Sequence, residues 1–294
     1  VKGFAFAIDA FTKKNDKIII QPPVYHPFRI VPEALERRVV NNPLLLENGK
    51  YSIDFEGLKG IIAENDCKML ILCNPHNPVG RVWNEDELIQ LAEICCDNNI
   101  LVVSDEIHSD LTLPGFRHRP FATVSEKAKE NSITLMAPSK TFNIAGIVSS
   151  FAVIHNPEIR KQYLNYLAPR ELDQATIYAL AATEAAYNYG EEWLDQALAY
   201  IQKNIDFVEN YLKEYIPQIN AVKSEATFLV WLDCRALNLT QQELVDLFVN
   251  KAKLALNDGT VFGKEGEGFM RLNVGTPLSN IEEALDNLRK ALNS

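Results

Sequence analysis

Short, continuous apolar runs alternate through the first half of the chain with longer segments whose apolar residues recur every three or four positions. The runs at 17–21 (KIIIQ), 37–40 (RRVV), 68–74 (KMLILCN), 100–106 (ILVVSDE), 132–138 (SITLMAP) and 149–154 (SSFAVI) predict strands. Most are apolar at consecutive positions, the pattern of strands covered on both faces. The opening residues place Phe4, Ile8 and Phe11 at helical spacing, and 54–65 predicts a second helix with Asp54 as its cap. The segment 84–99 predicts a third, with Asn84 as cap and Glu87 three positions on, the spacing of a capping box. Buried strands alternating with helices point to an α/β fold, a three-layer α/β/α arrangement around a mostly parallel sheet.

From about Asp173 the pattern changes. Helices are expected at 173–188 and 191–215, then a strand at 226–234, a helix near 240–251, a strand at 268–274 and a closing helix at 279–292. That second part is α+β in character, so a boundary is expected near Gly190. It divides a large domain, 1–190, from a smaller C-terminal domain, 191–294. The chain opens directly on a helical pattern with no Met, signal segment or capping residue. The large domain is therefore expected to be N-terminally incomplete.

Composition narrows the function. Of 294 residues, 47% are hydrophobic and 23% charged, which is enough to build sizeable cores. The formal charge of -10 disfavours nucleic acid and anionic membrane as partners. No apolar run approaches the roughly 18 residues of a membrane span. Five cysteines, an odd number without regular spacing, suit a reducing, cytoplasmic setting. No C-x-x-C pair supports a metal site.

In an open parallel sheet, ligands gather beyond the carboxyl ends of the strands. The residues just past the predicted strands are Tyr25, the NPHNPVG segment with Asn77, the SDEIH segment with Asp105 and His108, and Ser139 with Lys140. An amine, a carboxylate, an amide and an aromatic ring at one edge are the groups that pyridoxal 5'-phosphate requires. Lysine captures its aldehyde as an imine. A carboxylate favours the protonated pyridine nitrogen, and an aromatic side chain stacks on the ring.

NPHNPVG, SDEIH and APSKTFNIAG, followed by RLNVG, resemble in order and spacing the fold-type I pyridoxal-phosphate enzymes of the class I/II aminotransferase superfamily. Within it, the chain is most similar to the cystathionine β-lyase (C–S lyase) subgroup. The resemblance implies a role for each matching position. Lys140 resembles the Schiff-base lysine and the base that takes the substrate Cα proton. Asp105 resembles the pyridine-nitrogen partner, Asn77 the group bonding the ring oxygen and Tyr25 the stacking ring. Ser139 resembles a phosphate-side hydroxyl, and Arg271 the arginine that grips the substrate α-carboxylate. A homodimer is implied, with an amino acid as substrate.

The chain departs from many aminotransferases at His108 (commonly Tyr), Val148 (commonly a phosphate-binding Arg) and Ala137 (commonly Ser). These differences fit the β-lyase subgroup better. With them, His108 joins the expected cofactor-binding set. The alternatives are an aminotransferase and, in another class, the pyridoxal-phosphate-sensing domain of a transcription regulator. Arg81 is expected to tie down the NPVG loop. The glycine-rich stretch 263–268 (GKEGEG) carries two acidic residues, which suits a mobile loop rather than a phosphate cradle.

Overall fold

The structure, a computed structural model, describes residues 1–293. Its first part runs α1 (Lys2–Phe11), β1 (Lys17–Ile20), α2 (Pro27–Ala34), β2 (Arg38–Asn41), β3 (Leu45–Glu47), β4 (Lys50–Ser52), α3 (Phe55–Glu64), β5 (Cys67–Cys73) and α4 (Glu85–Asp97). It continues with β6 (Leu101–Asp105), α5 (Glu126–Glu130), β7 (Ser132–Met136), α6 (Pro138–Thr141), β8 (Phe151–Val153) and α7 (Pro157–Leu167). Six strands form one sheet in the order β2-β1-β5-β6-β7-β8. Every neighbouring pair is parallel except β7 with β8.

Alternation along the strands builds two cores, one on each face of this sheet. Met69 and Ile71 of β5 join Phe4, Ile8, Phe28, Tyr163 and Leu167 beneath α1, α2 and α7. Leu70 and Leu72 face the other way, onto Leu58, Trp83, Leu88 and Leu91 under α3 and α4. The expected three layers follow directly. The caps also form as expected. Asp54 accepts from Gly57 N at 2.8 Å, and Asn84 and Glu87 exchange hydrogen bonds, each at 2.8 Å.

Beyond α8 (Ile177–Tyr189) and α9 (Glu191–Tyr215) lies a second, antiparallel sheet. It comprises β9 (Asn220–Ala221), β10 (Leu229–Asp233), β11 (Asn257–Asp258) and β12 (Phe269–Asn273), ordered β11-β12-β10-β9. Ile205, Val208 and Leu212 of α9 pack on Val230, Leu232, Met270 and Leu272 of that sheet. Ile281, Leu285 and Leu288 of α11 (Leu278–Leu292) complete the cluster. The helix expected near 240–251 is α10 (Gln241–Asp246) followed by a π turn, Leu247–Lys251. No described helix is long and apolar enough to cross a membrane. All five cysteines are free thiols.

Some elements lie outside the strand–helix reading. β3 and β4 form a hairpin around Asn48 and Gly49, both with positive φ (50° and 75°). This is the two-residue turn that an Asn-Gly pair favours. The 263–268 stretch is not an open loop. Lys264–Gly266 forms a 3₁₀ turn, and a Cβ on Gly266 would lie 1.9 Å from Gly259 O. Here the glycines serve close backbone packing.

Candidate active site

Parallel strands end at one edge, so the residues following them are brought together. β1 and β5 are the neighbours at which the strand order reverses, the position where such sheets bind ligands. Tyr25 follows β1 and Asn77 follows β5. Asp105 is the last residue of β6, paired in register with Cys73 and Leu135. Lys140 lies in α6, just past β7.

Asp105 is half-buried. Its carboxylate accepts one long hydrogen bond, from Ile107 N at 3.3 Å, and has no cationic side chain in salt-bridge contact among the described residues. Burial holds its carboxyl above the ordinary range. Tyr25 is half-buried, edge-on to Phe28 at 6.2 Å. Burial and then the Asp105 charge raise its phenol, and Arg271 opposes them. The next residue, Glu106, turns inward. It accepts from Ser104 Oγ at 2.8 Å and Phe121 N at 2.9 Å, and pairs with His118 at 2.8 Å. It is thereby spent on the fold. Among the described residues no cluster of His, Cys, Asp and Glu is placed to hold a metal.

His108 is buried against Phe228, ring centroids 6.0 Å apart, and its Nδ1 has no partner among the described residues. Burial, followed by the charges of Lys140 and Arg271, pushes its pKa down to about 3, so the ring is neutral at pH 7. Lys140 is exposed, and its amine makes no hydrogen bond or ion pair among the described residues. Its helix is anchored by Thr141 Oγ1, which donates to Asp110 at 2.9 Å, and by the β7 end, where Leu135 O accepts from Glu106 N at 2.8 Å. The hydroxyl of the half-buried Ser139 is likewise unpartnered among the described residues. Val148 is exposed and left-handed (φ 56°), and supplies no charge.

Arg271 arrives from the other sheet. It lies on β12, half-buried, and its guanidinium donates to Asn77 Oδ1 at 2.8 Å and Asn257 Oδ1 at 2.7 Å. It also stacks 4.6 Å from the Phe262 ring centroid. Nε is buried without a partner, and no carboxylate pairs with this arginine among the described residues. Burial lowers its pKa to about 10, so it stays charged at neutral pH. A buried cation ordinarily has an anionic partner. Here the geometry offers a planar fork for one.

The structure therefore gathers Tyr25, Asn77, Asp105, His108, Lys140 and Arg271 at one sheet edge, with Ser139 beside Lys140. Sequence reasoning did not single out Phe262, Asn257, Phe228 or Cys73. Cys73 is buried beneath Asn77, whose N–H donates to its Sγ at 3.3 Å. Of these only Cys73 carried a signal, its place at a strand end. Arg81 closes the NPVG loop through its backbone carbonyl, which accepts from His76 N at 2.8 Å, while its side chain bonds Tyr51 O and Glu225 outside that loop.

The family model for class I and II aminotransferases matches residues 2–288. The chain belongs to that family. It is 41% identical to cystathionine beta-lyase PatB of Bacillus subtilis over 292 residues, 99% of this chain and 76% of that protein. Protein MalY of Escherichia coli is 32% identical, over 97% of this chain and 73% of its own length. Among solved structures, cystalysin from Treponema denticola, which contains pyridoxal 5'-phosphate, superposes with a TM-score of 0.95 at 38% identity. It covers 99% of this chain and 74% of that one. The pyridoxal-phosphate-bound C–S lyase from Staphylococcus hominis gives 0.92 at 30% identity, covering 99% and 74%.

The side chains of this family member fit such a cofactor on their own chemistry. A carboxylate without a cationic side-chain partner, an unpaired amine, a neutral ring with an orphaned nitrogen and a guanidinium without an anion converge. Those are donors and acceptors for a ligand carrying both charges.

Proposed function

We propose that the chain is a pyridoxal-phosphate-dependent C–S β-lyase. It eliminates a thiol from L-cystathionine or a related sulfur amino acid and leaves pyruvate and ammonia. The observation that carries this reading is the guanidinium of Arg271, without a carboxylate partner among the described residues, whose charge acts together with that of Asp105 on Tyr25 and with that of Lys140 on His108. The names of the relatives favour elimination over transamination.

When bound, pyridoxal phosphate supplies an electron sink for negative charge developing at the substrate Cα. Asp105 would hold a proton on the pyridine nitrogen, because an anion alongside favours the charged form. Asn77 has given its oxygen to Arg271, so its amide N–H groups are free to donate to the ring oxygen. Tyr25 would stack on the ring, and the Ser139 hydroxyl would serve the phosphate. His108, kept uncharged, adds a hydrogen-bonding group without a competing cation. Arg271 would hold the substrate α-carboxylate through paired N–H donors, fixing the direction of the Cα–H bond. The Lys140 amine, the anchoring group in the resting enzyme, would then take the Cα proton as general base. The electron pair left at Cα forms the Cα–Cβ double bond as the Cβ–S bond breaks and the thiolate departs. Water converts the remaining three-carbon fragment to pyruvate and ammonia.

A second copy of the chain is the partner this reading requires. The face of α8 supports it, with Ile177 and Tyr178 exposed at 75% and 78%. Large apolar side chains exposed to this degree suit an association surface. A cytoplasmic location agrees with the free thiols.

The test is pyruvate release from L-cystathionine with no keto acid added. Stoichiometric thiol and pyruvate support the lyase. Turnover only when a keto acid is supplied would make the chain an aminotransferase.

A further inference from the structure

Arg81 spends its donors inside the fold. Nε donates to Tyr51 O at 2.8 Å, one terminal nitrogen to both oxygens of Glu87 at 2.9 Å, and the other to Val82 O at 3.2 Å and Glu225 at 2.5 Å. The Arg81 and Glu225 side chains are only 5% and 8% exposed. The same Glu225 oxygen also accepts from Val82 N at 2.8 Å.

The two carboxylates differ in what they join. Glu87 is in α4, beside the loop that carries Arg81. Glu225 lies in the connection to β10, the strand paired with β12 and so with Arg271. Around Glu225 this connection threads between two loops of the larger sheet. Its N–H and that of Ala226 donate to Gly80 O at 2.8 and 3.1 Å, Leu113 N donates to Glu225 O at 3.0 Å, and Thr227 N donates to Leu111 O at 2.7 Å. Gly80 has φ +71°, and a Cβ there would meet Ser224 Cα at 3.3 Å, so the approach is close. One loop carries Asn77, the other follows Asp105 and His108, and Phe228 at the end of the connection packs on the His108 ring.

We propose that Glu225 is a positioning residue for Arg271. Its ion pair with Arg81 sets the β10–β12 pair against the Asn77 loop, and through it the orientation of the guanidinium toward a substrate carboxylate. This rests on the reading of Arg271 as the carboxylate-holding residue. A buried ion pair has little net worth to stability but fixes geometry when each partner is fully bonded. Glu225→Gln keeps the shape and an acceptor for Val82 N, and it leaves Arg81 neutralised by Glu87. The protein is therefore expected to fold with its two sheets less firmly registered.

The test compares Glu225→Gln, Glu225→Asp, Glu87→Gln and Arg271→Lys holoenzymes. It reads KM and kcat on L-cystathionine, the dissociation constant of L-alanine from the cofactor's visible absorbance, and the thermal midpoint. Glu225→Gln is expected to raise KM and the alanine constant about tenfold, with a smaller fall in kcat that stays well short of the ~100-fold in rate a full ångström of misplacement costs. Glu225→Asp, retaining the charge, recovers part of the loss. Glu87→Gln disturbs two bonds to the same guanidinium where Glu225 makes one, but neither crosses between the sheets, and it lowers the midpoint without moving KM. The proposal is overturned if Glu225→Gln leaves both constants unchanged, or if Glu87→Gln raises them equally. Should Glu225→Gln not fold, Glu225→Asp decides by the same criterion. If Arg271→Lys also leaves KM unchanged, the role of Arg271 itself fails. If Arg271→Lys raises KM and Glu225→Gln does not, only the positioning role fails.

Discussion

The guanidinium of Arg271 donates to the side-chain oxygen of Asn77 at 2.8 Å, across 194 positions of sequence. The bond joins the antiparallel sheet to the carboxyl edge of the parallel one. It also fixes the amide orientation, since Asn77 must present its oxygen to the cation and keep its N–H groups for a ligand.

Replacing Arg271 by lysine keeps the charge and loses the fork. KM for the amino acid is expected to rise about 10- to 100-fold, the worth of one charge-assisted hydrogen bond, with a smaller effect on kcat. Steady-state kinetics on L-cystathionine check it. An unchanged KM would remove Arg271 from the carboxylate role.

Asp105 sets function against stability. Burial raises its native pKa, so the folded cofactor-free chain holds that proton more tightly than the unfolded one. The resulting contribution is complete at pH below the unfolded carboxyl value and is lost as pH rises through the native one. Asp105→Asn is therefore expected to make the cofactor-free protein more resistant to urea at pH 7, and indistinguishable from the parent in acid. The same variant with cofactor should lose on the order of 100-fold in turnover, as loss of a preorganised electrostatic contact does.

Two buried histidines have the opposite sign. Burial lowers His76 to about 4 and His108 to about 3 from an ordinary 6.5. Unfolding lets each take up a proton below pH 6.5, so the native state loses stability as pH falls through that window, by about 1.4 kcal/mol per pH unit for each ring. His76 is fully buried, and its Nε2 bonds Pro23 O at 2.9 Å. His76→Gln is expected to flatten the dependence of unfolding free energy between pH 6 and 4.5 by about one proton's slope. Urea titrations at several pH values measure it.

Much of the site was legible because parallel strands align their ends. Once 68–74, 100–106 and 132–138 are read as strands, Asn77, Asp105 and Lys140 must share an edge. The capping box at Asn84 and Glu87 was legible for the same local reason. Arg271 was legible only through family resemblance, because its approach depends on how the second sheet docks. Phe262 and Asn257 were not legible, since cradling a guanidinium leaves no periodic trace. The hairpin at Asn48–Gly49 carried its turn signal, but its three-residue strands gave no apolar run. Helix α2 is interrupted in sequence by Pro32, and it forms because Phe28 is buried against Phe4, ring centroids 5.2 Å apart. Tertiary packing there outweighs the helix-breaking effect of proline.

The most direct measurement is borohydride reduction of the holoenzyme followed by peptide mass mapping. A pyridoxyl group on Lys140, absent with loss of turnover in Lys140→Ala, is the expected result. Reduction that labels a different lysine, or a Lys140→Ala protein that still forms the reducible adduct and turns over substrate, would contradict it.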